Sequence, residues 1–243
     1  MKSLLLLPVL FIFSESVKLP SNFIKCNRKD PDWKKCVFEA AVHATPQFTR
    51  PFKELNIPSI EPLLVPEVTI SAGSNAFRLT QNYKNCMIYG LTKVEASAFG
   101  FDFDKKTIHL EGIFPELRLI GTYTFDGKIL LLPVVGEGPG EVTFKNVKSN
   151  MTLFYEEYKK KEKTHIKVVS ATLKLTPSLI HFKYENLFNG DKRLGDNINQ
   201  VMNENWEALY EDIEESFNQV VIKIFTSLVN SVFSKLSIEE AFD

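Results

Sequence analysis

Along the last third of the chain, apolar residues recur at a helical interval. From Leu194 they fall at Ile198, Val201, Met202, Leu209, Ile213, Phe217, Val220, Val221, Ile224, Leu228 and Val232, with no proline before Phe233. That spacing is one stripe on one helix face. Asn189-Gly190-Asp191 supplies a turn and a cap upstream, and Asp196-Asn197 offers a second start. A helix of about 40 residues rises roughly 60 Å, so its stripe needs an equally long cover.

From Val68 to Glu185 the period is two. Leu117, Leu119, Gly121, Tyr123 and Phe125 alternate with polar or mixed neighbours, as do Val169, Ala171, Leu173 and Leu175, and Phe99, Phe101 and Phe103. The pattern predicts about six to eight strands, antiparallel because the connections are too short for crossover helices. Asp126-Gly127 reads as a hairpin turn. Gly136-Glu137-Gly138-Pro139-Gly140 reads as another turn, and Lys159-Lys160-Lys161-Glu162-Lys163 as a solvated hairpin tip. The runs Thr107–Phe125 and Asn85–Phe103 exceed ordinary strand length, and Gly112, Pro115 and Gly90 inside them are places to bend or bulge. Pro31–Ala44 reads as a short helix with Asp30 as cap and Pro31 at its first position. Ile57 to Pro66 is a proline-rich extended approach to the sheet. The predicted class is α+β: a long C-terminal helix wrapped by a strongly curved antiparallel sheet around an elongated apolar tunnel.

The N-terminus sets the compartment. Met1-Lys2, the apolar run Leu4–Phe13 and the small residues of Ser14-Glu15-Ser16 form a signal peptide over residues 1–16. Residues 17–243 then make a single domain. The run is too short for a bilayer, which takes about 20 residues. Carboxylates interrupt the apolar residues of the final helix, so neither end inserts stably in a membrane. The expectation is a secreted, extracellular monomer. Formal charges nearly cancel at −1, and no basic stripe offers itself to nucleic acid.

In an oxidising compartment, Cys26 and Cys36 are placed to form a local disulfide. A loop that short stabilises by only about 2–3 kcal/mol. Cys86 remains as a buried free thiol in a strand-like run. Asn150-Met151-Thr152 is the single N-glycosylation sequon.

Catalytic chemistry is not encoded in any pattern. His43, His109, His165 and His181 are isolated from one another and from the cysteines, so no metal-ligand spacing appears. The glycine-rich segment lacks the Lys-Ser/Thr of a phosphate loop. The pairs Glu207/Glu211 and Glu211/Glu214 sit at surface spacing opposite the apolar stripe and read as a solvated face. The reading is a non-enzyme without metal or cofactor.

Several segments together resemble the takeout and juvenile-hormone-binding protein family of insect secreted carriers. They are Cys26-Asn27-Arg28-Lys29-Asp30-Pro31-Asp32 leading to Cys36, Ile57-Pro58-Ser59-Ile60-Glu61-Pro62-Leu63, and Tyr123 through Pro133 followed by Gly136-Glu137-Gly138-Pro139. Most specific are Leu187-Phe188-Asn189-Gly190-Asp191-Lys192, then Leu194-Gly195-Asp196, then Asn203-Glu204-Asn205-Trp206; Val232-Phe233-Ser234-Lys235-Leu236 also fits. The resemblance spans the predicted mature chain. It implies a tubular lipid-binding fold with a small lipophilic molecule in an apolar tunnel. Hormone carriers of the family often have a second disulfide, for which only Cys86 is left here. That places the chain in the takeout-like branch.

The expected function is a carrier for a terpenoid, fatty acid or similar hydrophobic ligand. Burying roughly 300 Å² of ligand at about 25 cal/mol/Å² gives on the order of 8 kcal/mol before immobilisation costs. The tunnel candidates are Phe38, Val42, Phe101, Tyr123, Phe144, Val168, Ile198, Met202, Leu209, Ile213 and Phe217, with the Tyr123 hydroxyl available to a polar head. The alternative is a ligand-free protein-interaction module whose stripe is packed solid.

Overall fold

The structure is a computed structural model describing residues 18–71, 77–129 and 132–243. The predicted signal peptide, residues 1–16, lies outside the described residues. In chain order come α1 (Trp33–Ala44), β1 (Leu63–Ser71), β2 (Phe77–Tyr89), β3 (Glu95–Asp102), β4 (Thr107–Ile129), β5 (Leu132–Lys160), β6 (Lys163–Thr176), β7 (Leu179–Tyr184), α2 (Lys192–Glu204), α3 (Trp206–Phe233) and α4 (Ile238–Phe242).

All the described strands pair antiparallel in one sheet, in the order β1-β2-β4-β5-β6. Two very long strands form its spine: β4 and β5 pair from Thr107↔Phe154 to Ile129↔Leu132. The outer edge of β4 is shared end to end by β3, opposite residues 107–113, and β2, opposite 118–129. The outer edge of β5 is shared likewise by β7, opposite 140–145, and β6, opposite 148–160. Extended, 23 residues of β4 would reach about 75 Å. The 28 residues of α3 rise only about 42 Å, so the sheet has to curl to be covered.

The curl is built into the strands as changes of phase. Ile108, Leu110 and Phe114 face the interior of β4 from even positions, whereas Leu117, Leu119, Tyr123 and Phe125 do so from odd ones. On β5 the switch falls between Phe144 and Val147, at left-handed Asn146 (φ 43°). The two switches lie side by side, where Glu116 pairs with Lys145 in the ladder and by an ion pair. Further bulges occur in β2 between Lys84 and Met87, with Asn85 at φ 51°, in β3 at Ser97, next to the Ala96–Gly112 pair, and in β6 at Val169. Pro115 thus marks a change of phase in its own strand, as its position in the pattern predicted, while Gly112 sits opposite the bulge of β3.

Other details differ from the pattern. Asp126-Gly127 is not a turn; both lie inside β4, and the reversal falls beyond Ile129. Ile129 and Val134 are fully buried across that end of the ladder, which carries pairing past the Asp-Gly signal. Gly136 to Gly140 is not a turn either but the start of β5, paired to β4 throughout. Its glycines thin the strand. A side chain on Gly138 would sit 2.6 Å from the Glu185 carbonyl oxygen, and one on Gly140 2.9 Å from the Tyr184 ring. The Asn85–Phe103 run is two strands, broken at Gly90 (φ 94°). There the Glu61 carboxylate accepts from the Gly90 and Thr92 N–H groups and from the Thr92 hydroxyl. The first helix starts at Trp33, two residues later than predicted, because Asp30 caps an Asx turn on the Asp32 N–H (3.0 Å). The final helix is two helices. Asn205 (φ −118°, ψ 25°) breaks it, its side-chain amide donating back to the Val201 carbonyl at 2.7 Å.

Helix α3 closes the curled sheet by lying between its two edge strands. Against β1, Ile224 and Leu228 pack on Leu63, Val65 and Cys86, and the Ser216 hydroxyl donates to Ser71 O at 2.9 Å. Against β6, Asn230 holds both backbone groups of Val168 at 2.7 and 3.2 Å. A Cys26–Cys36 disulfide ties the N-terminal segment to α1, and the Arg28 guanidinium pairs with Asp243 behind α4.

Candidate functional site

Two buried clusters fill the ends of the tube. One gathers Tyr123, Phe125, Ile129, Val134, Phe144 and Tyr184 from the sheet under Ile198, Met202, Leu209 and Ile213. The other gathers Phe101, Ile108, Leu153, Tyr155 and Val168 against Val37 of α1, Phe233 of α3 and Phe242 of α4. The first is closed by the strap between β7 and α2, which crosses the thinned Gly136–Gly140 segment. The second is closed by α1 and α4, with Phe101, Phe103 and Phe242 in edge-on and stacked contact.

Between the clusters lies a belt of different character. Leu110, Phe114, Leu117 and Leu119 of β4, Ala171 and Leu173 of β6, and Phe217, Val221, Phe225 and Val229 of α3 all face inward by the phase of their elements. Every one of them is only half-buried. Leu173 and Val221 touch both end clusters and so mark the junction. Inward-facing side chains in a close-packed interior lose nearly all their exposure. Partial exposure on so many of them sets the belt apart from the two end clusters.

The first cluster also carries a buried polar group. The Tyr184 hydroxyl donates to that of Tyr83 at 2.6 Å, and Tyr83 donates to Gln81 Oε1 at 2.8 Å. Tyr123 donates to the Glu185 carbonyl at 2.6 Å. Burial pushes the Tyr123 phenol up to about 12 and raises Tyr83 and Tyr184 as well, so all three stay neutral at physiological pH. The Tyr123 proton is therefore committed to backbone rather than free for a ligand head.

The sequence candidates divide three ways. Tyr123, Phe144, Ile198, Met202, Leu209, Ile213 and Phe217 come together in and against the first cluster, and Phe101 and Val168 in the second. Phe38 and Val42 join neither, and Val42 is 45% exposed. Of the nine brought together, Phe217 alone lies in the half-buried belt. The β4 belt positions Leu110 and Phe114 were missed because their facing reverses at Pro115, which period-two counting runs straight through. Cys86 is a free, buried thiol, and burial raises it to about 11. Asn150 is exposed on β5. Among the described residues no group of His, Cys, Asp or Glu is arranged to hold a metal ion, and no helix is long and apolar enough to cross a membrane.

The family model for haemolymph juvenile hormone binding protein (JHBP) matches residues 5–243. The circadian clock-controlled protein daywake of Drosophila melanogaster is 26% identical over 236 residues, covering 92% of this chain and 88% of the fly protein. Its Drosophila yakuba counterpart is 23% identical over 235 residues, with the same coverage of each. The crystal structure of Epiphyas postvittana Takeout 1 matches with a TM-score of 0.78 at 23% identity, over 90% of this chain and 99% of that one. A likeness at that identity speaks for the fold.

Proposed function

The chain belongs to the haemolymph juvenile hormone binding protein family, and on that footing we propose that it is a secreted carrier holding a small hydrophobic ligand in an internal tunnel. The observation that carries the reading is the belt of half-buried apolar side chains between two closed ends. A ligand lying there would cover Leu117, Leu119, Leu173, Phe217 and Val221 and take their remaining surface out of water. The half-buried state of these residues argues against the packed-core alternative, in which a stripe of this composition would be fully enclosed. Secretion is supported by the disulfide between Cys26 and Cys36.

No step of chemistry is needed. Affinity would come from apolar burial, at about 25 cal/mol for each Å² covered. Native mass spectrometry of protein from a secretory host, followed by organic extraction, tests the reading. A bound lipid, or saturable uptake of an added terpenoid or fatty acid, is the expected result. A clean apo mass with no uptake would return the chain to the packed-core alternative.

A further inference from the structure

The two seams between α3 and the sheet are not alike, and the difference bears on how a ligand gets in. On the β1 side the seam is sealed by Ile224, Leu228 and the Ser216–Ser71 hydrogen bond. On the β6 side, among the described residues, polar contacts hold it at either end of a gap, with His165 Nδ1 meeting Phe233 O at 2.7 Å beyond the second end. At one, the Tyr210 hydroxyl donates to Leu175 O at 3.2 Å and Lys174 pairs with Glu214 at 3.0 Å; at the other, Asn230 clamps Val168. Helix α3 rises about 24 Å from Glu214 to Asn230. Over that span, among the described residues, no hydrogen bond joins it to Ala171, Thr172 or Leu173.

A groove of about 410 Å³ occupies this gap, with Ala171–Leu173 on one wall and residues from Glu211 to Ile222 of α3 on the other. Leu175 turns its carbonyl outward to Tyr210, and the alternation of a strand turns the backbone of Leu173 and Ala171 the same way. Among the described residues, that edge of β6 is therefore unpaired where it borders the groove. Asn218, in the opposite wall, has no hydrogen-bond partner for its Oδ1 among the described residues. The strand-side wall is the informative part. Leu173, one of the two residues that touch both end clusters, lines the groove, so the gap borders the middle of the belt.

We propose that this seam is a lateral portal through which ligand reaches the tunnel, and that Glu211, Glu214 and Glu215 at its mouth select neutral lipids over anionic ones. The inference rests on the carrier reading above. Parting α3 from β6 here breaks no backbone pairing, only contacts between side chains already half in water. Lys174 offsets one of the three carboxylates, while Glu211 and Glu215 pair with no cation among the described residues. A fatty-acid carboxylate approaching that mouth meets net negative charge; an ester or alcohol of the same length does not.

The test compares 11-(dansylamino)undecanoic acid with its methyl ester by stopped-flow fluorescence on the full chain. Uptake of the ester is expected to be about 10-fold faster than that of the acid at low salt, converging as salt screens the mouth. In the triple variant Glu211→Gln/Glu214→Gln/Glu215→Gln, acid uptake should rise to the ester's rate while ester uptake stays unchanged. Gln219→Trp, at an exposed helix position on the groove wall, should slow both probes at least several-fold; Thr172→Trp repeats the block from the strand side. Binding of both probes at rates indifferent to salt and to all three variants would overturn the portal and leave the carrier standing. Failure to bind either probe at any concentration would overturn the carrier reading itself.

Discussion

Asn203 holds Phe182 by both halves of its amide: its Oδ1 accepts from the Phe182 N–H at 2.7 Å, and its Nδ2 donates to the Phe182 carbonyl at 2.9 Å. One helical turn earlier, Asn199 does the same to Tyr184 at 2.8 Å in each direction. Asn230 repeats the arrangement on Val168 of β6. The i and i+4 spacing of a helix here meets the i and i+2 spacing of one strand edge. Helices α2 and α3 thus satisfy backbone groups on β7 and β6 that a further strand would otherwise take. Closure of the tube depends on three amides as well as on apolar contact.

Removing one of these clamps should cost more than its exposure implies. Asn203→Ala strands the N–H and C=O of Phe182, a residue only 5% exposed. An unpaired buried backbone group costs about 1–3 kcal/mol, so the midpoint of thermal unfolding should fall by several degrees. Circular dichroism melts check this, and a midpoint equal to the parent's would show that water replaces the amide freely.

Two glycines should respond oppositely to the same substitution. Gly138→Ala places a methyl 2.6 Å from the Glu185 carbonyl oxygen and 3.0 Å from Asn186 Cβ, neither of which can swing away. A loss of about 1–3 kcal/mol is expected from that overpacking. Gly100→Ala on β3 meets nothing within 4 Å and should be neutral or stabilising by up to about 1 kcal/mol. Urea denaturation of the two variants side by side decides it; equal losses would refute the close-approach account.

Much of this architecture was legible before any coordinates. The helical stripe from Ile198 to Val232 and the period-two stretch from Val68 to Glu185 named the helix, the sheet and their antiparallel pairing. What stayed hidden were decisions that local signals made wrongly. Asp126-Gly127 has turn chemistry, but Phe125, Ile129 and Val134 gain more by continuing the ladder into the core. Gly136 to Gly140 looks like a loop because its glycines serve a neighbour, the Tyr184 ring and the strap at Glu185. The facing of Leu110 and Leu117 could not be read at once, since alternation is broken between them by Pro115 and, across the ladder, by Asn146. No residue-by-residue period carries a side chain's direction through a bulge.

Acid should loosen the end of the molecule held by α4. Burial works against ionisation of Glu239. It is outweighed by hydrogen bonds to the carboxylate, from the Thr164 hydroxyl at 2.7 Å and the Thr164 N–H at 3.0 Å among others, which bring the group down to about 2 from 4.5. A carboxyl depressed by folding contributes stability that is complete above its unfolded value and fades as pH falls toward the folded one. The contribution should therefore be intact at pH 6 and lost progressively between about 4.5 and 2. Glu239→Gln should flatten that part of the stability–pH curve; a variant with the parent's acid slope would show that other carboxylates set it.

The sharpest test of whether the interior is hollow uses one bulky side chain at two positions. Leu153 is 0% exposed, packed in the second cluster, so Leu153→Trp has no space to enter. It should cost about 1–3 kcal/mol or more, through displaced neighbours. Leu117 faces the same interior from β4 but is only half-buried. In a hollow tube, the larger ring of Leu117→Trp would extend into the space beside the belt, gaining apolar burial while occupying ligand volume. Its stability should stay within about 0.5 kcal/mol of the parent, while uptake of a long-chain fluorescent probe falls steeply. In a solid core the two substitutions would meet the same obstruction. Similar destabilisation of both variants, with probe uptake unchanged or absent throughout, would therefore mean that the belt is filled by protein and the tunnel does not exist.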